Sequence, residues 1–234
     1  MTATLNAARI AYDGEPVGPI HLYRSFLLRS PEDPVAFNLH GRLWGGFWQH
    51  LKSSKRHLIS IDGEGIADLD FSAMFAMLAY WQSTGRLPER DPYDIPEFAG
   101  HRKGAKLALI SLLSRRGSLK LLAPKLKAVL PDGWTARRVV EVMSERHAPI
   151  AYMFASDSGL ALMAVESKIL MAVLLDLAAK GIPALPMFDG INVKISDRAA
   201  ALASMRRVSA RILGVALPVA EKPVWHAQTL ATAA

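Results

Sequence analysis

Hydrophobic and polar positions along the chain change their period several times, and each change predicts a new structural element. Two short apolar runs, 58–62 and 65–70, are separated by a glycine-containing turn and predict two neighbouring strands. The run 71–82 is apolar on nearly every side, which is typical of a buried helix. A later apolar run, 160–179, is closed by Gly181 and predicts a long helix.

The last part of the chain has the pattern of a hairpin followed by a helix. Apolar runs at 183–188 and 191–195 flank the dipeptide Asp189-Gly190, which favours a tight two-residue turn. A helix and a last short strand are predicted to follow. The sequence therefore predicts two pairs of strands joined by short turns, one before and one after the long apolar helix along the chain, and strands joined in this way pair in antiparallel fashion.

Between the early strands and the long helix, three segments have helical periodicity with charged faces. In 102–114, Arg102 and Lys106 lie one turn apart, opposite a face of leucine and isoleucine. A second basic amphipathic segment, kinked or split at Pro124, is predicted over 119–130. Thr135 is a candidate N-cap for a third helix, because its hydroxyl can accept a hydrogen bond from the first turn.

This order of elements predicts the α+β class. We expect residues 1–37 to form an irregular lead-in with at most one short helix. Residues 38–227 are expected to form a single domain with a helical insertion at about 97–146, and residues 228–234 a flexible tail.

Composition excludes several classes of protein. The chain has 234 residues, of which 51% are hydrophobic, so global disorder is excluded. It contains no cysteine, which excludes disulfides, thiolate zinc sites and a cysteine nucleophile. No stretch approaches the roughly 18 apolar residues of a membrane span, and no secretory signal is visible. We therefore expect a soluble cytoplasmic protein that does not bind membranes.

The excess positive charge is confined to one segment. The chain carries a formal net charge of +7. Outside the segment 98–131, basic and acidic residues nearly balance. Inside it there is no acidic residue, and the basic residues are Arg102, Lys103, Lys106, Arg115, Arg116, Lys120, Lys125 and Lys127. Such a field favours a polyanionic partner, nucleic acid or nucleotide, although a solvated basic helix face has the same pattern.

Two aspartates stand out by their positions. Asp70 lies where an apolar strand meets a buried helix, and Asp189 lies at the tip of an apolar hairpin. Such positions can bring two carboxylates together, and with divalent cations the pair becomes a site for phosphoryl chemistry. Two structural roles compete with this interpretation: Asp70 as a helix cap and Asp189 as a turn residue.

Two other acidic residues are given structural interpretations. Asp68, in the same strand as Asp70, is interpreted as a solvated or salt-bridged residue in preference to a third metal ligand. Glu166 interrupts the long apolar helix, and we interpret it as forming a structural pair with Lys168. Neither is expected to carry chemistry.

Taken in order, these motifs resemble the palm of family-A DNA polymerases, which is related to that of the single-subunit phage-type RNA polymerases. Asp70-Phe71-Ser72 is similar to the first catalytic motif, and the hairpin with Asp189 at its tip is similar to the last. Gly41-Arg42-Leu43, followed by Gln49 and Arg56, resembles the stretch that precedes the first catalytic motif in the family. The segment 218–227 is similar to the closing segment of the family. The resemblance is greatest to small palm-only relatives encoded by mobile elements.

The resemblance implies a palm-like small antiparallel sheet with packed helices and a helical fingers-like insertion. It implies a polymerase of DNA replication that adds nucleotides to a primer 3′ end by two-metal-ion catalysis, with Mg²⁺ or Mn²⁺ on Asp70 and Asp189. Residues implied to bind the nucleotide are Arg102, Lys106, Phe75 and Ile110. Residues expected to bind nucleic acid are Arg42 and Gln49, by resemblance, and Arg115, Arg116 and Lys120, by charge.

The implied partners are a DNA or RNA primer-template, nucleoside triphosphates and a protein that replaces the missing thumb. The chain departs from the family pattern at several positions. Phe75 stands where the family has a glutamate that discriminates sugars, so the preference for dNTP or NTP stays open. Ile110 and Ser114 replace two aromatic residues, and Phe188-Asp189-Gly190 replaces His-Asp-Glu.

Two alternatives stay open. A palm-derived protein that binds nucleic acid or a replication partner without catalysis accounts for the altered motif residues. A haloacid-dehalogenase-like phosphatase is suggested by the Asp68-x-Asp70 spacing after an apolar strand. That fold requires alternating strands and helices and a later acidic metal motif, of which Asp189-Gly190 is a poor version.

Overall fold

The computed structural model describes residues 1–224, which divide into two units. The first, here called the sheet unit, comprises residues 1–29, 41–72 and the chain from 166 onward. The second, the helical unit, comprises residues 30–40 and 73–165. The end of the predicted closing segment, from residue 225, and the predicted tail at 228–234 lie outside the described residues.

The strands pair in antiparallel fashion. Seven of them form one sheet in the order β2-β1-β5-β6-β8-β7, with β9 also pairing with β6, and β3 and β4 form a separate pair. The strands are β1 Ile10–Tyr12, β2 Glu15–Pro16, β3 Tyr23–Phe26, β4 His40–Trp44, β5 Ile59–Ile61, β6 Glu64–Phe71, β7 Leu185–Met187, β8 Gly190–Lys194 and β9 Val219–Lys222. With the helices below, this arrangement confirms the α+β class.

The helices agree closely with the periodicity of the sequence. They are α1 Thr2–Ala7, α2 Met74–Thr84, α3 Arg102–Ser114, α4 Pro124–Lys127, α5 Ala136–Arg146, α6 Ser158–Ala178 and α7 Arg198–Leu213. Short 3₁₀ turns cover Phe47–His50, Ser53–Leu58, Pro96–Phe98, Ala148–Met153 and Ile195–Asp197. The hydroxyl of Thr135 accepts a hydrogen bond from the Arg138 amide, as predicted. Within residues 1–224, none of these helices has the length and apolar character needed to cross a membrane.

Two expectations about local structure are wrong. The lead-in is not irregular, because β1 pairs with both β2 and β5 and extends the sheet. Its apolar side chains Leu5 and Ile10 are almost fully buried, so burial drives this pairing. The second basic segment is interrupted at Pro124, as predicted, but it is helical only over the four residues of α4, which begin at this proline because the first turn of a helix tolerates it.

Two boundaries also differ from the prediction, and both concern the aspartates. Strand β6 continues through Phe71 and helix α2 begins at Met74, so Asp70 is a strand residue and does not cap the helix. The hairpin turn consists of Phe188 and Asp189, since Met187 already pairs with Gly190. Strand β6 and the β7–β8 hairpin therefore fix the positions of the two carboxylates.

Strand β6 is buried against apolar residues on both faces. Alternation places Ile66, Asp68 and Asp70 on one face and Leu69 with Phe71 on the other. Leu69 and Phe71 are at most 1% exposed. A hydrophobic cluster of the sheet unit consists of Leu5, Ile10, Ile20, Trp48, Ile59, Ile61, Ile66, Leu185 and Met187. Each such large side chain contributes about 1.5–3 kcal/mol on burial, so the strand is a rigid support for its polar residues.

The helical unit has its own core. Helix α3 buries one face, which includes Ala105, Ala108 and Leu112. Gly104 permits a close approach of backbone, because a Cβ atom there would lie 2.3 Å from the carbonyl oxygen of Val129. The basic residues of α3 point away from this buried face, and Lys106 is exposed.

Candidate active site

Asp70 and Asp189 meet at the centre of the sheet. In the β6–β8 ladder, Asp70 lies directly opposite Gly190, the residue that follows Asp189. The amide of Phe71 donates a hydrogen bond to the carbonyl oxygen of Asp189 at 3.0 Å, which extends the ladder up to the hairpin turn. The two side chains are close enough for the charge of Asp189 to raise the pKa of Asp70. We call Asp70 and Asp189 the carboxylate pair.

The environment of Asp70 makes its ionisation costly. Burial first, and then the neighbouring charge of Asp189, raise the pKa of Asp70 to about 7. The ammonium of Lys222 opposes this shift, with its Nζ 2.5 Å from Oδ2 of Asp70. A carboxylate whose proton affinity is raised in this way is typical of functional sites, although structural ion pairs produce the same effect.

Gly190 lets strand β8 pack directly against Asp70. A Cβ atom at residue 190 would lie 2.8 Å from Oδ1 of Asp70 and 2.5 Å from the carbonyl oxygen of Leu69. Real Cβ atoms do not approach other atoms so closely, so glycine is required for β8 to pair with β6 here. The position that is glutamate in family-A polymerases is therefore closed to any side chain in this protein.

The hairpin turn that carries Asp189 is held by aromatic packing. Phe188 has a φ of 56°, which a two-residue turn requires at its first position but which is uncommon for a bulky residue. Its ring packs edge-on against Trp44 at 5.3 Å between centroids, and the guanidinium of Arg42 lies 5.2 Å from its centroid. These contacts offset the backbone strain and fix the direction of Asp189.

A buried ion pair lies beside the turn. Nε and Nη2 of Arg42 donate to the two carboxylate oxygens of Glu166 at 2.7 and 3.0 Å. Burial raises the pKa of Glu166 to about 7, Arg42 opposes the shift, and the charge of Asp189 adds to it. The predicted pair of Glu166 with Lys168 is therefore wrong: Glu166 faces inward to Arg42, whereas Lys168 is exposed.

The sequence contained the signal for this residue, although not its partner. An acidic side chain in the middle of an apolar helix is expected to be buried, and a buried carboxylate needs an ionic partner. The partner, Arg42, lies 124 residues away and is visible only in the fold. The sequence therefore did not predict that Glu166 lies beside the candidate site.

Asp68 and Gln49 have structural partners. Nη1 of Arg56 donates to Oδ2 of Asp68 at 2.7 Å, which confirms that Asp68 is salt-bridged. Gln49 donates to the carbonyl oxygen of Leu43 at 2.8 Å and accepts a hydrogen bond from the amide of Gly46. Gln49 therefore shapes the loop after β4, and its predicted contact with nucleic acid stays a prediction.

The predicted nucleotide-binding residues lie in the helical unit. Arg102 forms an ion pair with Asp91 at 2.5 Å, which raises the pKa of Arg102. Lys106 is exposed and Ile110 is half-buried on the same helix. Phe75, in α2, is only 9% exposed. Arg102 and Lys106 thus present two cations one helical turn apart, as predicted.

The other basic residues follow the end of α3. Arg115 is half-buried and its Nε donates to the carbonyl oxygen of Gly117. Arg116 and Lys120 are exposed. These three residues continue the positive charge of α3 along the surface of the helical unit.

The carboxylate pair has the chemistry of a site for a hard cation. Among residues 1–224 there is no cluster of three or more histidine, cysteine, aspartate or glutamate side chains arranged to hold a metal ion. Two carboxylates suffice for Mg²⁺ when water and substrate phosphates complete its shell. The residues present therefore fit Mg²⁺ or Mn²⁺ held by Asp70 and Asp189.

The sequence matches no protein family model and no curated protein. The likeness to family-A polymerase palms rests on the order of motifs, and it stays a prediction. The described residues establish an α+β fold in which two carboxylates, one neutralised by a lysine, lie side by side on an antiparallel sheet.

Proposed function

We propose that this protein is a nucleotidyltransferase that adds nucleotides to the 3′ end of a nucleic-acid primer. The observation that supports this function is the proximity of Asp70, on strand β6, to Asp189, in the turn that precedes the paired strand β8. Two carboxylates are brought into contact at an energetic cost that structural roles do not require. Bound divalent cations relieve the repulsion between the two carboxylates, so a metal-binding role explains why the two groups lie close together.

The reaction is an in-line displacement at phosphorus. The 3′-oxygen of the primer attacks the α-phosphorus of the incoming triphosphate, loses its proton, and forms the new ester bond as pyrophosphate leaves. Bound divalent cations supply Lewis-acid activation and neutralise developing charge in reactions of this class. Asp70 and Asp189 would hold these cations, and Asp70 would be ionised when it does so.

The remaining side chains position the substrates. Arg102 and Lys106 bind the triphosphate, and Phe75 and Ile110 line its sugar and base. Because the Arg102–Asp91 pair is exposed, exchanging Asp91 for a phosphate group costs little. Nucleic acid is bound through its backbone phosphates by Arg42, Gln49, Arg115, Arg116 and Lys120.

The phosphatase alternative is not supported by the fold. It requires a parallel sheet with alternating strands and helices, whereas the strands here pair in antiparallel fashion. Asp68, which would be the nucleophile, is 4% exposed and bound to Arg56. A group held in this way does not reach a substrate phosphate.

The test is primer extension with DNA and RNA primers, supplied separately with dNTPs or NTPs in Mg²⁺ or Mn²⁺. Asp70→Asn and Asp189→Asn should each lower the rate about 10³-fold or more, since each removes a cation ligand. The matched control is Glu221→Gln, which removes a carboxylate from β9 that pairs with Arg198. It should extend primers like the wild type.

Two outcomes contradict the proposal. Extension that persists in both aspartate variants would show that the carboxylate pair is not catalytic. Binding of primer-template by the wild type without extension under any condition would instead favour the non-catalytic nucleic-acid-binding protein. Salt-dependent binding, measured in parallel, separates that outcome from inactive protein.

A further inference from the structure

Lys222 places an ammonium group against the carboxylate pair. Its Nζ lies 2.5 Å from Oδ2 of Asp70. In the β6–β9 ladder, Lys222 is opposite Asp68 and Ala220 is opposite Asp70, so Lys222 reaches Asp70 diagonally on the same face of the sheet. The register of β9 therefore places the ammonium group of Lys222 next to Asp70.

A count of charges makes Lys222 the counter-ion of the pair. Asp70 and Asp189 supply two carboxylates. Among the charged groups described around them, Glu166 is already matched by the bidentate guanidinium of Arg42. Among the described residues, Lys222 is the cation that contacts Asp70, and it does so at Oδ2 of the carboxylate.

We propose that Lys222 occupies a cation position of the site, and that a divalent cation binds to Asp70 by displacing its ammonium. Lys222 is thus a positioning residue that keeps the carboxylate pair together in the metal-free protein and lowers its affinity for metal. This inference rests on the proposed function, because it takes Asp70 and Asp189 to be the cation ligands.

The exchange is feasible because Lys222 is not locked in place. Its side chain is 48% exposed, and four rotatable bonds allow the ammonium to turn into solvent. Among the described strands, β9 pairs with β6 alone, so Lys222 is on an edge strand. Glu221, its neighbour, faces the opposite side and pairs with Arg198. Release of Lys222 therefore needs no rearrangement of the sheet.

The experiment measures Mn²⁺ binding by titration calorimetry in the absence of any substrate. Lys222→Met keeps the length of the side chain and removes its charge. It should bind Mn²⁺ about tenfold or more tightly than the wild type, because an adjacent opposite charge changes the cation affinity of a carboxylate by that order. Lys222→Arg keeps the charge and should bind as weakly as the wild type.

Lys194→Met is the matched control. Lys194 lies on β8, pairs with Asp62 and Asp197, and its removal changes the net charge by the same amount. Its affinity for Mn²⁺ should stay near that of the wild type. If both lysine variants bind more tightly to the same extent, the effect is one of net charge and the proposal is wrong.

Lys222→Met that binds Mn²⁺ no more tightly than the wild type, or not at all, also overturns the proposal. Circular dichroism of each variant shows whether it is folded, and Lys222→Gln provides a second variant without the charge in case Lys222→Met does not fold. Primer extension, measured on the same proteins, separates the hypothesis about Lys222 from the proposed polymerase function. Active wild type with unchanged Mn²⁺ affinity in Lys222→Met rejects the role of Lys222 alone, whereas tight binding without extension rejects the polymerase function alone.

Discussion

Gly190 lies directly opposite Asp70, and the absence of its side chain is what lets the two strands pair at the site. A Cβ atom at residue 190 would lie 2.5 Å from the carbonyl oxygen of Leu69, a backbone atom that cannot move aside. We expect Gly190→Ala to lower the free energy of unfolding by about 2 kcal/mol or more. Urea denaturation measures this loss.

The matched control is Gly65→Ala on the partner strand β6. A Cβ there would make only an ordinary contact, 3.5 Å from Cδ1 of Ile195. Equal stability losses at the two positions would contradict the steric argument. Gly190→Glu, which restores the glutamate of family-A polymerases, should destabilise at least as much as alanine, because the same Cβ is present.

Ionised Asp70 lowers the stability of the folded protein. Its pKa is raised to about 7, so the folded state resists its ionisation and the free energy of unfolding should fall as pH rises from about 4 through about 7. Asp70→Asn removes that penalty. Near pH 8 the variant should be more stable than the wild type by about 1–3 kcal/mol, and near pH 4 the difference should vanish.

Urea denaturation across this pH range measures the difference. Asp62→Asn is the control, since Asp62 is 40% exposed at the β5–β6 turn and its loss should not stabilise the protein. Asp70→Asn that is less stable than the wild type at high pH would show that the ion pair with Lys222 outweighs the cost of burial.

Short-range patterns in the sequence predict most of the helices and strands. Thr135 and Gly181 mark helix ends because a cap and a left-handed turn each depend on one or two residues. The position of the hairpin turn was not predictable in this way. Asp189-Gly190 is the favoured turn dipeptide, yet Gly190 is needed in the strand beside Asp70, and Phe188 takes the positive φ because Trp44 and Arg42 hold its ring.

The candidate site was predictable only in part. Strand ends and hairpin tips point to Asp70 and Asp189 because their positions follow from local pattern. The partners Glu166 and Lys222 depend on long-range pairing, since Arg42 and Glu166 are 124 residues apart and Lys222 reaches Asp70 through the register of β9. No local pattern encodes such a register.

Arg42 and Glu166 should be strongly coupled in stability. The Glu166 side chain is 1% exposed, so removing Arg42 leaves a buried carboxylate and removing Glu166 leaves a guanidinium without this partner. Each of Arg42→Met and Glu166→Gln should cost about 3 kcal/mol, and the double variant should cost less than the sum.

A double-mutant cycle in urea measures this coupling. Arg137 and Glu141 form the control pair, with side chains 88% and 48% exposed on α5. Their coupling should be about 0.5 kcal/mol or less, as for other surface pairs at this helical spacing. Coupling of similar size in both cycles would mean that the Arg42–Glu166 pair behaves as a solvated one.

His147 should give the opposite dependence on pH to that of Asp70. It is 2% exposed, its Nδ1 lies 3.0 Å from the hydroxyl of Tyr80, and burial lowers its pKa to about 4. Because the unfolded chain binds a proton that the folded protein excludes, His147 should reduce stability as pH falls from about 6.5 to about 4. The penalty should reach about 2–3 kcal/mol.

This window overlaps that of Asp70, so the two effects partly cancel in the wild type and only variants separate them. His147→Phe removes the titration and keeps an aromatic ring. Its free energy of unfolding should fall monotonically as pH rises from about 4 to about 7, because the cost of ionising Asp70 and Glu166 is then unopposed. His50→Gln, at an exposed site, should keep the profile of the wild type. A His147→Phe profile parallel to that of the wild type would show that folding does not lower the pKa of His147, which would contradict the prediction.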